Sequence, residues 1–166
     1  MRSKPANIKR VEGDVKYNSL EVAKLINCIM QDGKKTVAEK QVYLCLKIIE
    51  EKMKNKPLDI LLSALSNIKP KTEVRSRRIG GAAYQVPMPV SPRRQFALSI
   101  RWLTEVAGKR SNSEYHTFAE KLAAEIMDAY NNVGGTIKKR DDVHRMADAN
   151  KAFSHFRWEG FLVVFP

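Results

Sequence analysis

The chain has 166 residues, 43% of them hydrophobic, and a net charge of +12 from 30 lysines and arginines against 18 acids. This apolar content argues against wholesale disorder. No apolar run approaches the ~20 residues that span a bilayer, and the start has no apolar stretch typical of a secretory signal. The excess charge favours a polyanionic partner, nucleic acid first and an anionic membrane surface second.

Cysteine and histidine spacing gives no support for a metal or a cofactor. Cys28 and Cys45 are the only cysteines, and two cannot form a structural zinc site alone. We expect both to be reduced thiols packed as small apolar side chains. The three histidines show no HExxH or CxxC arrangement, so no cofactor is predicted.

The first sixteen residues predict a basic arm. Few of them are apolar, and we expect their cations to contact phosphate groups. The arm's cations are Arg2, Lys4, Lys9, Arg10 and Lys16, and the first four are the candidate contacts.

Two helices follow the arm. Asn18 resembles the cap of the first helix, and Gly33 supplies the left-handed conformation that ends one. Lys34 and Lys35 fill the turn, and Thr36 opens the second helix. The pair predicts a helical hairpin.

A third helix and a β-hairpin come next. Pro57 suits the first turn of this helix, which Pro70 stops, and Leu58, Leu61, Leu62 and Leu65 form its apolar stripe. Residues 72–90 alternate as two strands around Gly80-Gly81, the pair that a tight turn needs. We expect this hairpin to project from a helical body and to be steadied by a polyanion, because isolated hairpins are barely stable.

The fourth helix begins at Ser91-Pro92, with Ser as cap and Pro at the first position. Arg93, Arg94 and Arg101 lie on it, and its first two turns hold no acid. Trp102 either packs in the core or stacks on a base, and the core is the favoured interpretation.

The last third predicts two more helices. A polar loop at Lys109 and Arg110 leads to an acidic fifth helix that includes Leu122, Ile126 and Tyr130. Gly134-Gly135 then breaks the chain, and Asp141 or Asp142 caps a sixth helix with Val143, Met146 and Ala147 on its apolar face. Further cations here are Lys138, Lys139, Arg140, His144, Arg145 and Lys151.

The pattern therefore predicts a mainly α fold: a six-helix, bundle-like domain with one protruding β-hairpin between the third and fourth helices. We divide the chain into the basic arm at 1–16, a single helical domain at 17–158 with its hairpin at 72–90, and an apolar tail at 159–166.

Four passages resemble the small-subunit ribosomal protein S7 family of bacteria and organelles. They are DGKKTVAEKQVY at 32–43, VRSRRIGGAAYQVP at 74–87, ALSIRWLTEVAGKR at 97–110 and KKRDDVHRMADANKAFSHFRW at 138–158. Single pieces are weak signals, but four in this order along nearly the whole chain are specific. The resemblance implies six helices with a hairpin between the third and fourth.

The resemblance also implies a role. Such a protein binds the 3′ major domain of small-subunit rRNA, nucleates assembly of the head, places its hairpin near the exit-site tRNA and the mRNA, and can repress its own message. The implied location is the small ribosomal subunit of a bacterial cytoplasm or an organelle, with neighbouring ribosomal proteins as partners. By position, the implied RNA-binding residues are Lys34, Lys35, Arg75, Arg77, Arg78, Arg93, Arg94, Arg101, Lys138, Lys139, Arg140, His144 and Arg145, and the hairpin tip is Arg78, Gly80, Gly81, Ala82 and Tyr84. We also expect rRNA contacts from Lys109, Arg110 and Lys151, and from the arm cations Arg2, Lys4, Lys9 and Arg10.

The tail at 159–166 departs from the family motifs. It is apolar, and we expect it to dock on a neighbouring ribosomal protein or to fold back on the core.

Two other classes compete with this interpretation. An RNA-processing enzyme needs a converging base, nucleophile or metal cluster, and the acids are dispersed without a recognisable constellation. A basic helical DNA-binding regulator is the better rival, although the hairpin and the four passages argue against it.

Overall fold

The computed structural model describes residues 12–156. Four predicted arm cations (Arg2, Lys4, Lys9 and Arg10) and the tail at 159–166 lie outside the described residues. The elements are α1 (Leu20–Ile29), α2 (Lys35–Met53), α3 (Pro57–Ile68), β1 (Thr72–Ile79), β2 (Ala82–Pro89), α4 (Pro92–Lys109), α5 (Phe118–Tyr130), α6 (Gly135–Ala149) and a short 3-10 helix (Lys151–Phe156). The predicted mainly helical fold, with a hairpin between the third and fourth helices, is confirmed.

Helix α5 lies at the centre of the helical body and packs on α2, α3, α4 and α6. Thr117 caps it in a reciprocal pair with Glu120, which satisfies backbone donors at both positions. Leu122 and Ile126 are fully buried. Four alanines on the same helix are also buried, and small side chains let the neighbouring helices approach closely.

Three helix starts differ from the sequence prediction. The cap of α1 is Ser19, whose hydroxyl accepts from the Val22 amide, whereas Asn18 precedes it in a left-handed conformation. Helix α2 begins at Lys35 rather than Thr36 and has no side-chain cap. Helix α6 begins at Gly135 rather than at either aspartate, because its first turn is satisfied by a residue of α5, Glu125.

Several side chains assigned to the core are exposed. Leu62, Tyr130 and Met146 are 45%, 37% and 52% exposed. Each lies at the edge of its helix's apolar stripe, where a shift of one position turns a side chain outward. Cys45 is buried as expected, and burial raises the pKa of its thiol. Cys28 is exposed, so its predicted packing is wrong.

The hairpin is antiparallel, with Thr72 opposite Pro89 and Ile79 opposite Ala82. Gly80 and Gly81 both have positive φ, +57° and +89°, which the tight turn requires. Strand β2 rests on α6 and on the 3-10 helix. The hairpin is therefore supported by contacts within the chain, whereas the sequence analysis had expected a polyanion to steady it.

Candidate nucleic-acid interface

A buried carboxylate joins the hairpin to α4. The Glu73 side chain is 9% exposed, and its two oxygens lie 2.6 Å from guanidinium nitrogens of Arg75 and Arg94. Charge-assisted bonds of this length are strong. Two of the predicted RNA-binding arginines are thereby held in place at the root of the hairpin, and each keeps about half of its side-chain surface exposed.

Farther along the hairpin, Arg78 is exposed and Arg77 is half-buried beside the sulfur of Met88, 3.9 Å away. The tip residues Gly80, Gly81 and Ala82 are exposed.

Tyr84 is turned toward its own chain. Its ring centroid lies 5.4 Å from that of Phe153 and 5.2 Å from that of Phe156. These three rings connect β2 with the 3-10 helix, and tilted pairs at this separation are favourable. The predicted tip residue Tyr84 therefore belongs to an aromatic cluster that supports the hairpin.

Helix α4 presents arginines to solvent. Arg93 and Arg101 are exposed, and within residues 12–156 neither side chain forms a hydrogen bond or an ion pair. Trp102 is 7% exposed, which confirms the core interpretation. The exposed face of α4 can therefore offer uncommitted guanidinium groups to a phosphate backbone.

Glu105 holds two of the predicted lysines near the end of α4. It lies 2.8 Å from the ammonium of Lys109 and 2.5 Å from that of Lys139. Hydrogen bonds from Lys109 and then Lys139 lower the pKa of Glu105 to about 2. Both lysines are thus partly neutralised within the protein.

The side chain of Arg110 is held inside the protein by two carboxylates and an aromatic ring. Its guanidinium binds Glu125 at 2.6 Å, pairs with Asp128 and lies 5.5 Å above the ring of Tyr115, and its side chain is 18% exposed. Burial works against its charge, but the hydrogen bonds that Arg110 donates to Asp128 and Glu125 raise the pKa of Arg110 overall. Little of this group is left for an external partner.

The cations of α6 fall into two groups. Lys138 is exposed and has no ion pair within the described range, and Arg145 is exposed beside Asp142. Arg140 and His144 instead face the root of the hairpin: Arg140 donates to the Asn67 carbonyl, and His144 accepts from the Lys71 amide. Lys151 is exposed in the 3-10 helix.

The turn between α1 and α2 lies beside the end of α4. Lys34 and Lys35 are exposed and make long ion pairs, 4.0 Å to Asp32 and 3.7 Å to Glu39. Lys34 lines a cavity of about 640 Å³ together with Glu105. The fold thus brings a second basic segment close to α4.

Sequence reasoning missed Lys69 and Lys71. They flank Pro70 at the entrance to the hairpin, and Lys69 lies 6.0 Å above the ring of Phe96. The sequence did contain a signal, a pair of lysines just before a basic strand. Their spacing alone, however, did not distinguish them from lysines in an ordinary solvated loop.

The part of the chain that the structure covers shows no cluster of three or more histidine, cysteine or acidic side chains suited to a metal. Among its helices, none has both the length and the apolar character to cross a bilayer.

Comparison with known proteins is consistent across nearly the whole chain. The family model described as "Ribosomal protein S7p/S5e" matches residues 1–151. The small ribosomal subunit protein uS7 of Caldicellulosiruptor saccharolyticus is 52% identical over 95% of this chain and 99% of its own length. The uS7 proteins of Caldanaerobacter subterraneus subsp. tengcongensis (53%; 95% and 99%) and Thermodesulfovibrio yellowstonii (53%; 90% and 94%) are similar. The chain therefore belongs to the ribosomal protein S7p/S5e family of the small subunit.

Proposed function

We propose that this protein binds the 3′ major domain of small-subunit rRNA, nucleates assembly of the head, and places its hairpin near the exit-site tRNA and the mRNA. The observation that carries the proposal is a set of exposed cations that the fold leaves without internal partners within residues 12–156. They lie on the hairpin, α4 and α6: Arg78, Arg93, Arg101 and Lys138.

Binding without turnover is the proposed mechanism. Lysines and arginines release counterions from RNA, which supplies affinity and makes it dependent on salt. Separated cationic surfaces match the shape of a folded RNA, because A-form helices expose little base information in their deep groove. The bacterial relatives are named as ribosomal proteins, in keeping with a role without catalysis, and we place this chain in a small subunit of a bacterial cytoplasm or an organelle.

The proposed contacts are weighted by what each side chain already binds. Arg78, Arg93, Arg101 and Lys138 are the primary contacts. Arg75 and Arg94 contribute from fixed positions, since Glu73 holds both. Arg110 is excluded from the contact set because two carboxylates surround it.

The test is a binding titration of the full chain against the isolated 3′ major domain over a salt series, with tRNA and duplex DNA as competitors. The double variant R93Q/R101Q is compared with K47Q/K52Q, which removes two charges from exposed positions on α2. We expect R93Q/R101Q to reduce the salt slope by ~1.4, at ~0.7 per phosphate contact.

Three outcomes count against the proposal. Equal binding to all three nucleic acids would mean that net charge alone explains the affinity. A preference for duplex DNA would favour the alternative function, a DNA-binding regulator. Equal slopes for the two double variants remove α4 from the interface.

A further inference from the structure

A basic cleft of about 410 Å³ lies where α3, the start of β1 and α6 meet. Its lining contains two lysines, an arginine and a histidine but no acid: Ser66, Asn67, Lys69, Lys71, Arg140 and His144. We propose that this cleft binds one phosphate group of the RNA backbone at the root of the hairpin. The inference rests on the proposed function and adds Lys69 and Lys71 to it.

A hydrogen bond within the cleft sets the tautomer of His144. The Lys71 amide donates to Nε2 of His144 at 3.0 Å. An accepting Nε2 carries no proton, so the neutral ring has its proton on Nδ1. That N–H remains available to donate to a phosphate oxygen.

Arg140 is held in place but retains donor capacity. Its Nε and one terminal nitrogen bind Asp141, and the other terminal nitrogen donates to the Asn67 carbonyl at 2.6 Å. A guanidinium has five N–H donors, so three are committed and each terminal nitrogen keeps one. Asn67 is itself fixed, since its amide donates to two carbonyls at the end of α5.

The remaining donors are two ammonium groups and a hydroxyl. Lys71 and Ser66 are exposed, Lys69 is half-buried, and neither lysine forms an ion pair within residues 12–156. The cleft thus combines three cations with donors whose positions the fold has already set. A phosphate group has several acceptor oxygens and negative charge, so it can accept from these donors together, which an apolar group cannot do.

Location explains the use of such a site. Lys69 and Lys71 lie on the segment that leads into β1, and Arg140 and His144 lie on α6, which packs on β1. A phosphate bound between them ties the hairpin to the helical body at the place where the RNA reaches the protein.

The first test compares K69Q/K71Q with the charge-matched control K47Q/K52Q in binding the 3′ major domain over a salt series. We expect the cleft variant to lose ~1.4 units of salt slope, or about 25-fold in Kd at 0.1 M salt if the curves converge at 1 M. If K69Q/K71Q loses no more salt slope than the control, the proposed phosphate site in the cleft is wrong. If the wild type itself shows no preference for this RNA, the proposed function fails instead.

The second test titrates the full chain with inorganic phosphate and follows the His144 ring and the Lys71 amide by NMR. Saturable shifts in the wild type that vanish in K69Q/K71Q support the site. Absence of shifts at the cleft, while other cations respond, overturns it. Shifts with phosphate combined with unchanged RNA binding by K69Q/K71Q overturn the assignment to RNA.

Discussion

Replacing Glu125 by alanine is the most informative single change to the helical body. Glu125 is 1% exposed. One of its oxygens accepts from Arg110 at 2.7 Å, and the other accepts from the amide and hydroxyl of Thr136 at 2.8 and 2.5 Å. Truncation leaves Arg110 with Asp128 alone and leaves the buried start of α6 without an acceptor.

The magnitude follows from these contacts. Removing one partner of a buried ion pair costs about 3–5 kcal/mol, and an unsatisfied buried amide costs about 1–3 kcal/mol. Arg110 keeps Asp128 and is 18% exposed, which reduces the first contribution. We therefore expect Glu125→Ala to lower the free energy of unfolding by about 4 kcal/mol. Glu125→Gln keeps the shape and one acceptor, so we expect about half that loss.

Urea unfolding of the full chain, followed by circular dichroism, measures this change. Glu114→Ala is the control, because Glu114 is exposed and surface substitutions usually stay within about 0.5 kcal/mol. A double-mutant cycle with Arg110→Ala should be strongly non-additive, since both variants remove the same contact. Additive losses, or a Glu125→Ala effect below about 1 kcal/mol, would refute a structural role for Arg110.

Three further predictions concern the interface. Glu73→Gln should speed hydrogen exchange at the hairpin root and weaken RNA binding without lowering its salt slope. Unchanged exchange would show that Glu73 does not hold Arg75 and Arg94 in place. The Glu105 carboxyl should titrate near pH 2 by NMR, below the usual ~4.3. Its stabilising effect is then complete above about pH 4.3 and lost as pH falls toward 2, and titration near pH 4 would exclude these ion pairs. Gly81→Ala should destabilise the hairpin by about 1–2 kcal/mol, because φ is +89° with open space around it. Gly108→Ala, in an exposed helical position, should instead stabilise by about 0.5–1 kcal/mol; equal effects would contradict the role of the turn.

The elements that sequence reasoning placed well carry their own local chemistry. Pro57 at the start of α3, the glycine pair of the hairpin and Pro92 at the start of α4 each act directly on the local backbone. Ser91 holds the cap position as expected, but its side chain makes no capping hydrogen bond. Helix α6 was placed too late because its first turn is satisfied by Glu125, a residue ten positions before Gly135 and on another helix. No local pattern marks an acceptor supplied through tertiary packing.

The same distinction limits prediction of the interface. Sequence locates the basic segments, but it does not show which cations the fold has already paired. Arg110 resembled the exposed arginines until the structure placed it between Glu125 and Asp128. Conversely, Lys69 and Lys71 looked like ordinary loop charges, because the partners that define their cleft lie about seventy residues later on α6.

Helix α4 is fixed at both ends by buried carboxylates, and this arrangement bears on how the interface works. Glu73 holds Arg94 at its start, and Glu125 holds Arg110 at its end. Exposed Arg101 lies between these points and exposed Arg93 lies next to Arg94, so both sit on a rigid element, and preorganised groups lose less entropy on binding. We expect the effects of charge and geometry to be separable. Removing an exposed arginine should lower the salt slope of RNA binding, whereas replacing Glu73 or Glu125 should lower the affinity without lowering that slope. We therefore expect the two carboxylates to affect RNA binding through geometry, although neither carries the positive charge that RNA attracts.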